Sequence, residues 1–314
     1  MWAKVESERF LNPVFRQFYA ERDVVLEERR QSYETKPDRM LMTRFLSSAF
    51  IAHPYGRPII GWKDDIDSLP KKAVEEFYSS YYSPQNAVLS IVGDINVEQT
   101  KSILKKYFEK IKSGSIERTP VTKEPDQLGE RRIYVEFEAE PRLIMGFHKP
   151  TIPHIDDYVF DLIDGILSGG RTSRLYKSLV LEKKLATSIF THNGFPGARY
   201  PNLFLINAIP ASSSTPEEVE KAIHEELHKL TLEPVTDKEL ARVKNQLKVN
   251  FVLRMQSNSG LAGMLSYYQA VCNNWKYIEK HLEVIDKITP LQITNVAEKY
   301  FKTKNRTTAY LVRK

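Results

Sequence analysis

The chain has 314 residues, with 46 Lys and Arg against 40 Asp and Glu, a net charge of +6 and a single cysteine. With 41% apolar and 27% charged residues it is neither disordered nor fibrous, and the lone Cys272 excludes a disulfide scaffold and any multi-thiolate metal site. The basic excess is spread along the chain rather than blocked, which argues against nucleic acid as a partner. No apolar run approaches the ~20 residues that cross a bilayer, and the opening Met1 to Pro13 lacks the apolar core of a signal peptide.

In chain order, the first 110 residues read mostly as helix. Phe15, Phe18, Tyr19, Val24, Val25 and Leu26 give residues 14–32 an apolar side at helical spacing. A second helix is expected over 37–52. The run His53-Pro54-Tyr55-Gly56-Arg57-Pro58 marks a loop, and a third helix follows from Leu69-Pro70 to Tyr82. After the turn Ser83-Pro84-Gln85-Asn86, the apolar residues 87–92 predict a buried strand, and 94–112 another helix.

Residues 113–130 are polar with two prolines and predict a linker. Beyond it, Ile133, Val135 and Phe137 alternate with Tyr134 and Glu136, the mark of a strand, and 143–148 is its expected partner. A helix over 156–167 leads to Gly169-Gly170 and a further helix from Thr172. Strands around 187–191 and 202–208 precede helices at 215–231, 236–256, 259–271, 274–286 and 289–301, and a last strand at 307–312.

One internal repeat organises the chain. Leu69-Pro70 through Tyr81, Tyr82 and Asn86 parallels Thr289-Pro290 through Tyr300, Phe301 and Asn305. Each unit is a helix that begins at Pro, ends in two aromatics and passes through an Asn turn into a strand. The offset is 219 residues (305 − 86). The second copy starts near Arg131, whose counterpart would fall at 131 − 219 = −88, so roughly 90 residues of the first copy are expected to be absent.

Two stretches carry candidate chemistry. Glu21 and Glu28 lie seven residues apart, two helical turns, and so project from one face. Such carboxylates suit a metal ligand and its supporting group, or a solvated helix laced with Glu–Arg pairs. The second stretch, His224-Glu225-Glu226-Leu227-His228, matches H-e-x-x-H literally. Its helix buries Val219, Ile223, Leu227 and Leu230, which leaves His224, Glu225 and His228 on the wet face with Glu217, Glu220 and Lys221; a semi-enclosed catalytic zinc does not fit there. His53, His148, His154 and His192 have no ligand spacing. Gly169-Gly170-Arg171-Thr172-Ser173 lacks the phosphate-loop pattern, and nothing places Cys272 beside a base.

The segment Glu21-Arg22-Asp23-Val24-Val25-Leu26-Glu27-Glu28 resembles the pitrilysin/insulinase-type zinc metallopeptidases, the inverzincins. The resemblance extends through Ala52 to Pro58, Tyr81 to Asp94 and Leu167 to Tyr176, and is nearest to the small bacterial members and the mitochondrial processing peptidases. It implies an α+β fold of two homologous processing-peptidase-like α/β-roll domains. The expected parts are residues 1–112 as the C-terminal part of a zinc-site domain, a linker at 113–130, and a second, non-zinc domain at 131–314. It implies Zn2+ held by H-x-x-E-H plus a downstream Glu, which Glu28 matches, with Glu21 as the supporting carboxylate. No H-x-x-E-H precedes Glu28 here, so the general-base Glu is expected upstream, and the chain alone is expected to be an inactive piece of a metalloendopeptidase subunit. The alternative is a non-catalytic partner subunit of a heteromeric peptidase. An Arg and Tyr seven apart often contact substrate in this family; Val180 and Thr187 stand at those positions. The implied partners are a peptide substrate and a related subunit in a homo- or heterodimer. A bacterial cytoplasm or periplasm both fit.

Overall fold

The computed structural model describes residues 1–113 and 120–313; part of the expected linker therefore lies outside the described residues. The N-terminal half is helical: α1 (Trp2–Leu11), α2 (Phe18–Arg29), α3 (Pro37–Ala49), α4 (Lys63–Asp67), α5 (Lys71–Tyr81) and α6 (Val97–Phe108). The remainder alternates as β1 (Arg131–Glu136), β2 (Arg142–Lys149), α7 (Ile155–Ser168), β3 (Ala186–Phe195), β4 (Asn202–Pro210), α8 (Pro216–Leu232), α9 (Asp237–Met255), α10 (Asn258–Cys272), α11 (Tyr277–Lys287), α12 (Pro290–Tyr300) and β5 (Arg306–Val312). The helix expected from Thr172 widens into a π-helix over Tyr176–Glu182. Helices α1 and α4 were not anticipated as separate elements.

The five strands form one sheet in the order β1-β5-β2-β4-β3. Only β1 runs parallel to its neighbour, pairing Arg131 with Thr307 through Glu136 with Val312. The other pairs are antiparallel. Both faces are covered, and strand alternation divides the core in two. Met145, Phe147, Phe204, Ile206 and Tyr310 face a large core with α7, α8, α9 and α12. Ile144, Leu203, Leu205, Ala309 and Leu311 face the other way, onto Leu41, Phe45, Leu46 and Ala49 of α3. The N-terminal half thus covers the second face of the sheet. Contact there is close enough that a Cβ on Gly146 of β2 would sit 2.6 Å from Phe45 Cζ. The junction is also polar. Glu124 accepts hydrogen bonds from the amides of Ile51, Ala52 and His53 at 2.9 Å each, and Arg131 Nη1 donates to the carbonyls of Ser48 and Ala49 at 2.8 Å.

The repeat extends through the helices. Adding 219 to the bounds of α5 (71 and 81) gives 290 and 300, those of α12, and adding it to the 3-10 turn Pro84–Asn86 gives Thr303–Asn305. By the same shift α1 falls within α8, α2 within α9 and α4 within α11, while α3 overlaps α10. The Asn turn repeats in atomic detail: Asn86 Nδ2 donates to Tyr81 O at 3.0 Å and Asn305 Nδ2 to Tyr300 O at 2.9 Å.

The copies differ where it matters. Residues 87–92 correspond to β5 (87 + 219 = 306), yet they form no strand, and Val88 and Leu89 are exposed. This overturns the expected buried strand. Among the described residues no strand pairs with them, and apolar patterning does not make a strand without a neighbour to take its N–H and C=O groups.

Candidate metal centre

Helix α2 carries Glu21 and Glu28, both exposed. It is anchored by the residues that follow each of them. Arg22 Nη1 donates to Asp67 O at 2.5 Å and Arg29 Nη1 to Gly61 O at 2.8 Å, with the Arg29 guanidinium over the Trp62 ring at 5.8 Å. Two arginines seven apart hold one face of α2 on the segment leading through α4, and the two glutamates seven apart are left on the neighbouring face.

In the second copy the equivalent face is buried. Subtracting 219 from Leu240, Val243 and Leu247 of α9 gives Glu21, Val24 and Glu28. Leu240 and Val243 are buried and Leu247 packs against the main core. A Cβ on Gly165 of α7 would lie 2.4 Å from Val243 Cγ1, so this stripe of α9 is the one that seats on α7. In α2 the same stripe faces outward, and Val24 is 59% exposed.

Glu21 and Glu28 cannot share one ion, since two turns separate them by ~10 Å along the axis. Among the described residues no three His, Cys, Asp or Glu side chains are placed to hold a metal. A catalytic zinc takes three protein ligands, so the residues present do not by themselves make a zinc site.

On the His224–His228 helix the expected wet face is exposed at Glu217, Lys221, Glu225 and His228, with His224 half-buried. Glu220 is buried, a correction to its expected exposure. It sits in a network with Arg132 near the start of β1, Tyr310 of β5 and His224 one turn along its own helix. Burial alone would raise the Glu220 pKa, but hydrogen bonds from His224, Arg132 and Tyr310 hold it far below the usual carboxylate range. His224 Nδ1 lies 3.1 Å from Arg306 Nη1, a cation where a zinc would have to be. Glu225 is paired with Lys183 at 2.7 Å, and His228 turns to Thr231. Val180 is half-buried against the main core, and Thr187 is exposed on β3.

Helix α7 carries a polar stripe that matches no motif. Asp157, Asp161, Asp164 and Ser168 occupy one face of an otherwise apolar helix, spaced by four, three and four residues, and that spacing was the available signal. Asp157 forms a buried ion pair with Lys149. Asn193 Nδ2 donates to Asp161 Oδ1 at 2.8 Å, and Thr191 bonds Asp164. Burial first, and then the charge of Asp157, push Asp161 up to about 7; burial pushes Asp164 up to about 6. His281 Nε2 stands 4.0 Å from Asp161 Oδ2, and burial lowers it to about 4.

Residues 68–247 match the model of the peptidase M16 inactive domain, and the chain belongs to that family. It is 32% identical over 299 residues to the zinc protease PqqE of Helicobacter pylori, covering 94% of this chain and 67% of that protein. It is 21% identical to the uncharacterized zinc protease YmxG of Bacillus subtilis, over 90% of this chain and 67% of YmxG. The crystal structure of a protease from Helicobacter pylori superposes with a TM-score of 0.92 at 31% identity, over 99% of this chain and 76% of that one. A peptidase M16 inactive domain from Pseudomonas fluorescens gives 0.86 at 18% identity, over 100% of this chain and 74% of that one, a likeness of fold. The chain spans about two thirds of the length of the curated relatives it matches. No helix among the described residues is long and apolar enough to cross a membrane.

Proposed function

We propose that the chain is the larger part of a zinc-dependent metalloendopeptidase subunit and that these 314 residues alone do not hydrolyse peptides. The observation that carries this is the outward stripe Glu21, Val24 and Glu28 of α2, whose counterparts Leu240, Val243 and Leu247 seat on α7. An outward copy of a helix-packing stripe calls for a helix in the place of α7. Polypeptide beyond these residues supplies it, as a preceding segment or as a partner subunit. In this reading that helix carries H-x-x-E-H, Glu28 is the ligand this chain contributes, and Glu21 supports it. The relatives named zinc proteases support the metal. Val180 and Thr187 offer neither cation nor phenol to a substrate, which favours a related subunit that brings the missing pair; the same observation supports the second reading, a non-catalytic partner subunit.

Zinc content and cleavage of a quenched fluorescent peptide test this. The chain alone is expected to retain far less than one zinc and to show no chelator-sensitive turnover. Fusion to, or mixing with, a polypeptide bearing H-x-x-E-H on the missing helix is expected to give turnover that Glu28→Ala lowers by about 100-fold or more, at or above the roughly 10–100-fold cost of losing a residue that only supports a ligand. Near-stoichiometric zinc with turnover by the chain alone overturns the first reading. A completed assembly that binds no zinc and cleaves nothing selects the second.

A further inference from the structure

The loop after α3 forms one wall of a cavity of about 300 Å3, whose apolar floor includes Met42 and Leu46 of α3 and Phe195 at the end of β3. The wall is held in place from two sides. Ser47 Oγ donates to Gly56 O at 2.9 Å, and a Cβ on Gly56 would sit 2.4 Å from Phe50 O, so the turn is pressed onto α3. The Tyr55 hydroxyl accepts from the Tyr200 amide at 3.3 Å, tying the same turn to the connection between β3 and β4. Two guanidinium groups, Arg39 and Arg57, line the cavity. Neither has a carboxylate within 4 Å among the described residues, so both are open to an incoming anion.

We propose that this cavity binds the C-terminal residue of a peptide, with its apolar side chain on the floor and its α-carboxylate at Arg39 and Arg57. Planar guanidinium groups match a carboxylate with two parallel hydrogen bonds, and more strongly at the mouth of an apolar site than in bulk water. A volume at the small end of ligand cavities takes one or two residues and is short for a long acyl chain. The hydroxyl of Tyr33, which also lines the cavity, makes no hydrogen bond among the described residues and is free to meet the last peptide bond. The site lies between α3 and the sheet and needs neither the metal nor the missing helix, so its test is independent of the peptidase reading.

The test is fluorescence anisotropy on the 314-residue chain with a pentapeptide labelled at its N-terminus and ending in leucine, as free acid and as amide. The acid is expected to bind at least tenfold tighter, and 0.5 M salt is expected to weaken the acid and spare the amide. Arg39→Gln with Arg57→Gln, both exposed positions, is expected to bring the acid down to the amide with an unchanged unfolding midpoint. Equal binding of acid and amide, no binding of the acid at millimolar peptide, or an undiminished acid preference in the double variant overturns the proposal. So does tight binding of dodecanoate by a chain that ignores the peptide.

Discussion

Asp161 and His281 sit within 4.0 Å of each other on α7 and α11, and burial displaces both from their ordinary titration, in directions that favour the neutral form. Between an ordinary value of 3.8 and about 7 the folded chain keeps a proton on Asp161 that the unfolded chain has released. Its contribution to stability is therefore complete below about pH 4 and is lost as pH rises towards 7. His281 has the opposite dependence: the unfolded chain takes up a proton below 6.5 that the folded chain refuses until about 4, so its contribution is lost as pH falls through that window. The groups facing the pair are Asp157, Lys149, Asn193 and Asp164. Asp161→Asn keeps an oxygen for Asn193 and removes the titration. Urea midpoints at pH 5 and pH 8 are expected to fall less across that range in the variant, with a gain at pH 8 on the order of 1 kcal/mol, since one unit of displacement is worth about 1.4 kcal/mol and the side chain is 27% exposed. Equal slopes in both proteins refute the assignment. Glu28 contrasts with it. As an exposed side chain it is expected to change stability by less than about 0.5 kcal/mol on substitution by Ala, whereas Arg29→Ala, which removes the bond to Gly61 and the contact with Trp62, is expected to cost about 1–2 kcal/mol in the same urea titration.

At the scale of elements, the two Asn turns share a backbone and differ in surroundings. Asn86 Nδ2 bonds Tyr81 O, while Asn305 Nδ2 bonds both Tyr300 O and His148 O of β2. Asn305→Ala strips two carbonyls in a packed sheet and is expected to cost about 2–3 kcal/mol by chemical denaturation; Asn86→Ala is expected to cost about 1 kcal/mol or less. These elements also show what the sequence reveals and what it withholds. All five strands of the sheet were legible, β3 only in its middle at 187–191, because their faces are buried or alternate. The helices from α8 to α12 were legible from caps such as Thr215 and Thr289, each of which closes a capping box. The segment at 87–92 reads as a strand just as clearly and is none, since pairing is decided by what lies beside a segment and not by its own residues. The site was legible in the same partial way. Spacing put Glu21 and Glu28 on one face, but only the structure shows that the equivalent residues Leu240, Val243 and Leu247 seat on α7, the observation from which a partner for the face of α2 is proposed. The burial of Glu220 was not legible at all, because Arg132 and Tyr310, which neutralise and bond it, come from strands 88 and 90 residues away.

At the scale of the molecule, the two copies are unequally buried, and α3 is the helix of the first copy that packs into the sheet. Its Leu41, Phe45 and Ala49 complete the second face of the sheet, so part of the N-terminal half shares the core of the C-terminal half, while α2, α5 and α6 bury no residue fully. Local stability follows buried apolar contact and paired backbone, and amide exchange reports it segment by segment. The amides of 306–311, held between β1 and β2, are therefore expected to exchange only with global unfolding. Those of 87–92, the same unit one copy earlier, are expected to exchange orders of magnitude faster, with the helices α2 and α5 between the two extremes. Gly146→Ala drives a methyl into Phe45, an overpacking expected to cost about 1–3 kcal/mol. The loss should fall on the N-terminal half, raising exchange in α3 and α5 while β4 stays protected. If 87–92 instead proves as slow as 306–311 in the chain alone, the segment has found partners of its own, and the proposal of a further helix packed on α2 loses its support.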